Sequence, residues 1–396
     1  MGTPGGDNRS QVGSARFRRH DVDWLRVFAT LVVFCFHNTR FFDYLDWHVK
    51  NDELTVAMTV FAGFLSLQWM MPLFFVLAGA GTWFSLGVRT PGQYVKERFK
   101  RLLIPFVFGL LVLIPPQDYC EQVTHSGYDG TYLQFYPTFF QNIGFWFDIS
   151  WFGHGHHLWF LGFLLVFSLV ALPLFLYLSK GRGQRRLAKL ASFCERPGAV
   201  FLLAVPIAVM HAFLQGSEEG GWNRYVYFVF FVCGYLVFSD ARFERAVARH
   251  GKMALAVGVP LMLVTIGGCA YFYFGKDIDL NYGYSVTPVL WRVLKAFNAW
   301  VWIVAILSFG KKYLSFSNNL LQYAKEAVLP FYILHQTVIL LIGFHVVRWD
   351  AGVTTKYVVI STTSFVVIVG LYDLLVRRTN VARFLFGMRA KKRQTG

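Results

Sequence analysis

The chain has 396 residues, of which 55% are hydrophobic and only 15% charged, with a formal net charge of +16. Soluble domains carry about one charged residue in four, so this composition excludes an ordinary soluble protein and indicates a polytopic membrane protein. The positive residues lie in short segments between apolar runs, which excludes a nucleic-acid-binding surface.

Taken in order, Met1 to Arg19 is polar and rich in Gly, Ser and Arg, and reads as a flexible cytoplasmic tail. The apolar run after it is too long for a signal peptide, begins with charged residues and lacks a small-x-small cleavage site. About ten runs are then long enough to span, near 24–42, 58–87, 102–117, 158–178, 199–215, 223–239, 253–274, 290–309, 327–347 and 355–376. Runs of this length satisfy their backbone in lipid only as helices, so the expected fold is all-α with about ten transmembrane helices. Of the 38 Lys and Arg residues, 30 fall in the N-terminal segment through Arg26, in the alternate loops 88–101, 179–198, 240–252 and 310–326, and from Arg377 onward. The loop from Gln117 to His157 has none and carries Asp118, Glu121, Asp129 and Asp148. Cytoplasmic loops hold the Lys/Arg excess, so both termini are expected in the cytoplasm. We divide the chain into a tail (1–20), a transmembrane domain (21–378) and a basic C-terminal tail (379–396) whose Arg389 to Arg393 reads as an anchor to anionic lipid. No internal repeat is evident. Cys35, Cys120, Cys194, Cys233 and Cys269 have no paired spacing, so no disulfide framework is expected.

The first run, from Asp21 to Phe42, carries Arg26 and His37. Eleven residues on a helix bring them within roughly 20° of one face and about 16 Å apart, half the thickness of a hydrocarbon core. Ionisable side chains within a span are costly and face a protein interior or a water-filled path. His37 is therefore either a catalytic residue or a structural histidine bonded between helices. Asp21 and Asp23 precede the span, where they suit the helix N-terminus; Asp23 also suits a role in orienting Arg26.

The loop leading into the third span is dense in Lys96, Arg98, Lys100 and Arg101, and Arg98 and Arg101 at i, i+3 share a helix face. Basic cytoplasmic loops are common, but paired arginines also match phosphate oxygens bidentately, which makes Arg98 and Arg101, joined by Arg26, a candidate phosphate clamp. His335 lies near the middle of the ninth run, either lining the same cavity as His37 or packing between helices. On the outer side His154, His156 and His157 lack the carboxylate or cysteine partners of a zinc site, and no metal is expected. With Trp146, Trp151, Trp159, Tyr119 and Tyr136 nearby, they suit contact with a sugar equally well as an aromatic belt at the interface. Trp47 and His48 carry the same two readings.

Four pieces together, Arg26 and His37 in R-x10-H spacing, Arg98 and Arg101 in R-x-x-R, FFVLAG from Phe74 to Gly79 and HLWFL from His157 to Leu161, resemble the acyltransferase 3 family of integral membrane acyltransferases. Ala78 stands where that family usually has serine. Looser pieces, DWHVKN (Asp46 to Asn51), IPPQ (Ile114 to Gln117), LSFGKKYLSF (Leu307 to Phe316), PFYILHQ (Pro330 to Gln336) and RFLFG (Arg383 to Gly387), resemble its glucan-succinylating branch. The resemblance implies a multi-pass plasma-membrane enzyme that uses acyl-coenzyme A as donor, with no permanently bound cofactor. It implies transfer of a succinyl or acetyl group to a hydroxyl of a periplasmic or cell-surface glycan. Arg26, Arg98 and Arg101 would hold the coenzyme A head; His37 would act as general base or be transiently acylated, with His335 beside it. His48, His157 and Trp159 would face the acceptor. A different class, a transporter exporting an acylated or anionic small molecule, would show paired broken helices in two related halves, which are not apparent.

Overall fold

A computed structural model describes residues 19–66, 68–142, 156–214, 218–219, 222–275 and 283–391. In chain order the helices are α1 His20–Thr39, α2 Val56–Ser66, α3 Met70–Leu86, α4 Pro91–Arg98, α5 Ile104–Val112, α6 Pro115–His125, α7 Tyr132–Asn142, α8 Trp159–Val170, α9 Leu172–Leu178, α10 Gly181–Cys194, α11 Ala204–Phe213, α12 Arg224–Ser239, α13 Ala241–Gly275, α14 Val286–Tyr313, α15 Asn319–Val346, α16 Val353–Leu371 and α17 Asn380–Leu385. Apart from a two-residue antiparallel pairing of Glu218–Glu219 with Trp222–Asn223, the fold is all-α.

Among the described residues six helical segments are long and apolar enough to cross a membrane, and seven if α8 and α9, bent by 48° at a break, form one span. Pro173, two residues into α9, lacks the N–H that would continue α8 across that break. Two more expected runs fall on the shorter apolar helical segments Ala199–Phe213 and Arg224–Ser239. The first falls on α1, which is about 30 Å long by helical rise but carries Asp21, Asp23 and Arg26. Two of the expected basic loops are helices: 179–198 contains α10, and 240–252 is the first part of α13. All five cysteines are free.

Local chemistry sets several helix starts. Thr90 and Gln93 form a reciprocal cap around Pro91 at the head of α4. Asn223 accepts from Val226 N at 3.0 Å, and Asn318 from Leu321 N at 2.8 Å. Between α4 and α5 the helix widens into a π turn at Phe99–Leu103.

Apolar helices in lipid gain nothing from burying one another beyond what lipid tails offer, so close packing must hold them. Gly79 and Gly234 supply it where α3 meets α12. A Cβ on Gly79 would lie 2.1 Å from Phe231 O, and one on Gly234 2.1 Å from Val76 O. This explains the glycine of the FFVLAG segment. Around the contact, Phe75 stacks on Tyr227 at 4.7 Å and Phe175 on Tyr235 at 3.8 Å; each such pair contributes about 0.5–1.5 kcal/mol beyond its buried area.

Candidate active site

One helix, α1, links two polar regions. At the end where α1 begins, α1, α3, the α3–α5 stretch and α15 enclose a cavity of about 480 Å³. Arg26, Arg89, Arg98, Arg101 and Arg389 line it with a single carboxylate, Glu97; further in, its walls are apolar, with Phe74, Leu77, Phe160 and Leu329, and it reaches Tyr332. The arginines are held in place. Arg26 donates to Leu77 O at 2.9 Å and lies 3.6 Å from Asp23. Arg98 sits over the buried Tyr94 ring at 4.7 Å and donates to Thr82 Oγ1 at 3.4 Å. Arg89 Nε lies 2.7 Å from Glu97 Oε2, and Arg101 Nη1 lies 3.6 Å from Glu97 Oε1. The structure thus brings Arg26, Arg98 and Arg101 to one cavity. Lys96 and Lys100, in the same basic loop, do not line it. Asp21 is engaged elsewhere, bonded to Arg19, which also binds Glu244 of α13.

The second region lies about 16 Å further along α1 by helical rise. His37 Nδ1 is 3.0 Å from Val33 O and 3.1 Å from His335 Nε2, and the two rings are 4.9 Å apart. His335 Nδ1 is 2.5 Å from Tyr332 O. Carbonyls only accept, so for neutral rings the tautomers are set: His335 donates from Nδ1 and accepts at Nε2, and His37 donates from Nδ1. This leaves His37 Nε2 with its lone pair and no protein hydrogen bond among the described residues. His157 Nε2 donates to Ile333 O at 3.0 Å, its ring stands 5.0 Å from that of His335, and its buried Nδ1 has no partner among the described residues. The Tyr332 hydroxyl donates to His157 O, so one residue touches both the cavity and the histidines.

Beyond the histidines a polar network continues. Gln336 Nε2 donates to Gln117 Oε1 at 2.9 Å and to His48 Nε2 at 3.3 Å, and Gln117 donates to Thr337 Oγ1 at 2.8 Å. His48 Nδ1 bonds Glu121, and His156 Nε2 bonds Asp118, with the His48 and His156 rings 4.4 Å apart. Burial holds the His48 pKa below the ordinary histidine range, with the Glu121 bond pulling the other way. The loop carrying Trp47 and His48 is tied down by buried Asp43, which binds Arg40 and, at 2.8 Å, Lys50. Among the described residues no group of three or more His, Cys, Asp or Glu could hold a metal.

Of the residues singled out in the sequence, His37, His335, His157 and His48 form or adjoin this network. Trp159 does not: its ring packs in the core against Phe75, Phe163 and Tyr227. Tyr119 and Tyr136 donate to backbone carbonyls, of Gly130 and Leu111. Trp146, Trp151 and His154 lie outside the described residues. Sequence reasoning gave no site role to Tyr332, Gln336, Gln117, Glu121, Asp118, Arg89, Glu97 or Arg389. Glu97 had a signal, a lone acid inside a basic run; Gln336 beside His335 had another.

A bundle of membrane helices with an arginine-lined cavity at one end and a paired imidazole further along α1 is the class these elements define. The model of the family described as "Acyltransferase domain", acyltransferase 3, matches residues 19–373, and the chain belongs to that family. It is accordingly a polytopic membrane O-acyltransferase, acting on an acyl donor and an acceptor. Among similar proteins, glucans biosynthesis protein C from Salmonella paratyphi B is 23% identical over 357 residues, covering 83% of this chain and 84% of the relative. The protein of the same name from Salmonella agona is 23% identical over 352 residues, with the same coverage. No solved structure matches the chain.

Proposed function

We propose that this enzyme carries a short acyl group, succinyl or acetyl, from cytoplasmic acyl-coenzyme A to a hydroxyl of a periplasmic or cell-surface glycan, with His37 as general base. The observation that carries this reading is the unbroken helix α1, with Arg26 in the arginine-lined cavity at one end and His37, its Nε2 unpaired among the described residues, against His335 towards the other. The topology that goes with it has ten crossings in the plasma membrane, with α1, the bent α8–α9 pair and the two shorter apolar segments added to the six long ones. Both termini are cytoplasmic, because the Lys and Arg excess falls at the arginine-lined end.

Arg26, Arg98 and Arg101 hold the phosphates of the coenzyme A head, where guanidinium forks match phosphate oxygens. The pantetheine arm follows the apolar wall past Leu77 and Leu329 to Tyr332, which delivers the thioester to the histidines. His48, His157 and the neighbouring Gln117 and Gln336 bind the acceptor sugar from the outer side. His37 Nε2 takes the proton of the sugar hydroxyl as the oxygen attacks the thioester carbon. The tetrahedral intermediate then collapses, the C–S bond breaks, and His37 returns the proton to the departing sulfur, giving the ester and coenzyme A thiol. His335 accepts the His37 Nδ1 hydrogen bond throughout and steadies the imidazolium. A glucan acceptor is supported by the name of the Salmonella relatives and a succinyl group by the family resemblance.

Mass spectrometry of envelope glycans from cells with the enzyme, without it, and with His37→Ala tests the reading. Acyl esters should vanish in the last two; full acylation with His37→Ala overturns the assignment. Incubating the purified enzyme with acyl-coenzyme A and no acceptor separates the two roles of His37. A general base releases no coenzyme A burst, whereas release of one equivalent per enzyme would show acylation of the protein.

A further inference from the structure

The basic C-terminal segment takes no part in the acyl transfer just described, yet it is built into the mouth of the cavity. Thr379 caps α17 by accepting from Ala382 N at 3.2 Å. The chain then turns at Gly387, whose φ of +67° suits glycine, and a Cβ there would lie 2.8 Å from both Arg101 O and Pro105 Cγ. Arg101 Nε donates to Gly387 O at 3.3 Å, and Met388 N to Arg383 O at 2.7 Å. Arg383, almost fully buried, pins the chain on both sides of the turn: its Nη2 donates to Glu326 Oε1 and its Nε to Arg389 O, both at 2.7 Å. Lys391 N donates to Asn380 Oδ1 at 2.9 Å, and Phe386 packs against Phe108 with rings 5.2 Å apart. A segment serving only as a charged lipid anchor would not require backbone bonds at successive residues.

This path places Arg389 in the cavity lining, with Nη2 3.7 Å from Glu97 Oε1. Glu97 thereby gathers three guanidinium groups from three separate segments: Arg89 after α3, Arg101 in the π turn and Arg389 in the tail. The Arg389 side chain is 74% exposed, and an ion pair that open contributes little, so it exchanges easily for a stronger anion. Five arginines against one carboxylate leave the lining with excess positive charge that suits a ligand bearing several phosphates.

We infer that the C-terminal segment is part of the donor site: Arg389 and Arg89 bind phosphate groups of the donor head, and Glu97 holds the arginines in place until that head arrives. The inference rests on the reading that this cavity takes a phosphorylated acyl donor. It assigns the tail to substrate binding.

The test is calorimetric binding of free coenzyme A to the purified full-length protein in zwitterionic detergent without anionic lipid. Arg389→Gln should weaken binding about tenfold, the scale of one charge-assisted contact. Lys391→Gln removes the same charge from the same tail outside the cavity and should leave affinity unchanged. Gly387→Val keeps every charge but disturbs the turn, and should mimic Arg389→Gln; unchanged melting of the Arg389 variant confirms an intact fold. If the wild type binds coenzyme A and Arg389→Gln binds equally well, the tail inference fails while the donor reading stands. Equal losses in Arg389→Gln and Lys391→Gln would also overturn it, since they would reflect general charge attraction. A wild type that does not bind coenzyme A overturns both.

Discussion

The two ends of α1 hold polar groups in opposite ways. In the arginine cavity, charged side chains stand around open space, and several of their bonds are to one another, through Glu97 and Asp23. Such bonds can be traded for a ligand's. In the histidine region the three rings are held by backbone carbonyls of α1 and α15, at Val33, Tyr332 and Ile333, whose positions the helices fix. One end holds charged groups whose bonds can rearrange around open space. The other is arranged so that one nitrogen always presents the same lone pair.

Substitutions should separate the two ends. The largest effect is expected for His37→Ala, with kcat falling at least about a thousandfold, within the range for losing a general base, while coenzyme A affinity stays the same. A parallel loss of coenzyme A binding would mean the two ends are not separate. His335→Ala should lower kcat by roughly a hundredfold, and His335→Gln by less, because an amide oxygen can replace the imidazole acceptor for His37 Nδ1–H. Equal damage from both would point to packing as the cause. At the other end, Arg98→Ala combined with Arg101→Ala should weaken coenzyme A binding by tenfold to about a hundredfold, with kcat at saturation less affected. Unchanged affinity would leave the R-x-x-R loop as a topology signal alone.

The smallest effect concerns pH. Because the folded His48 pKa is depressed, the unfolded chain takes up this proton first as pH falls. The stability it contributes is complete above about pH 6.5 and declines as pH drops through that value toward the folded pKa. Melting in detergent should therefore come earlier at pH 5.5 than at pH 7, and His48→Gln should lessen the difference by roughly a degree. The groups facing His48, namely Glu121, His156, Asp118 and Gln336, remain in that variant. An unchanged difference would show that His48 titrates as freely as in the unfolded chain.

Much of the first region was legible in the sequence, because helical periodicity puts Arg26 and His37 on one face and the R-x-x-R spacing marks two of the arginines that line the cavity. In the second region the sequence offered His335 as a candidate for the same cavity as His37, but none of the contacts between the histidines. His37 and His335 are 298 residues apart, and no local pattern says that α1 and α15 pack at that height. Trp159 shows the limit of motif reading: it adjoins His157 in sequence but points into the core, because successive residues on a helix project about 100° apart. The basic segments 179–198 and 240–252 read as loops but are largely helical, since a charge excess reports which side a segment lies on and says nothing of its conformation. A lipid anchor accounts for the composition around Arg389, and the bonds that tie this segment to the mouth of the cavity are not legible in that composition.

The continuity of α1 has a consequence for which donors the enzyme can use. No break lies between Arg26 and His37, so their separation is fixed by helical rise and serves as a gauge. On the proposed function, a thioester would reach His37 only with a carrier arm that spans that length from the phosphates, whatever acyl group it bears. Inserting one residue between the two positions would add only about 1.5 Å but turn His37 by about 100°, so the gauge would fail by rotation long before it failed by length.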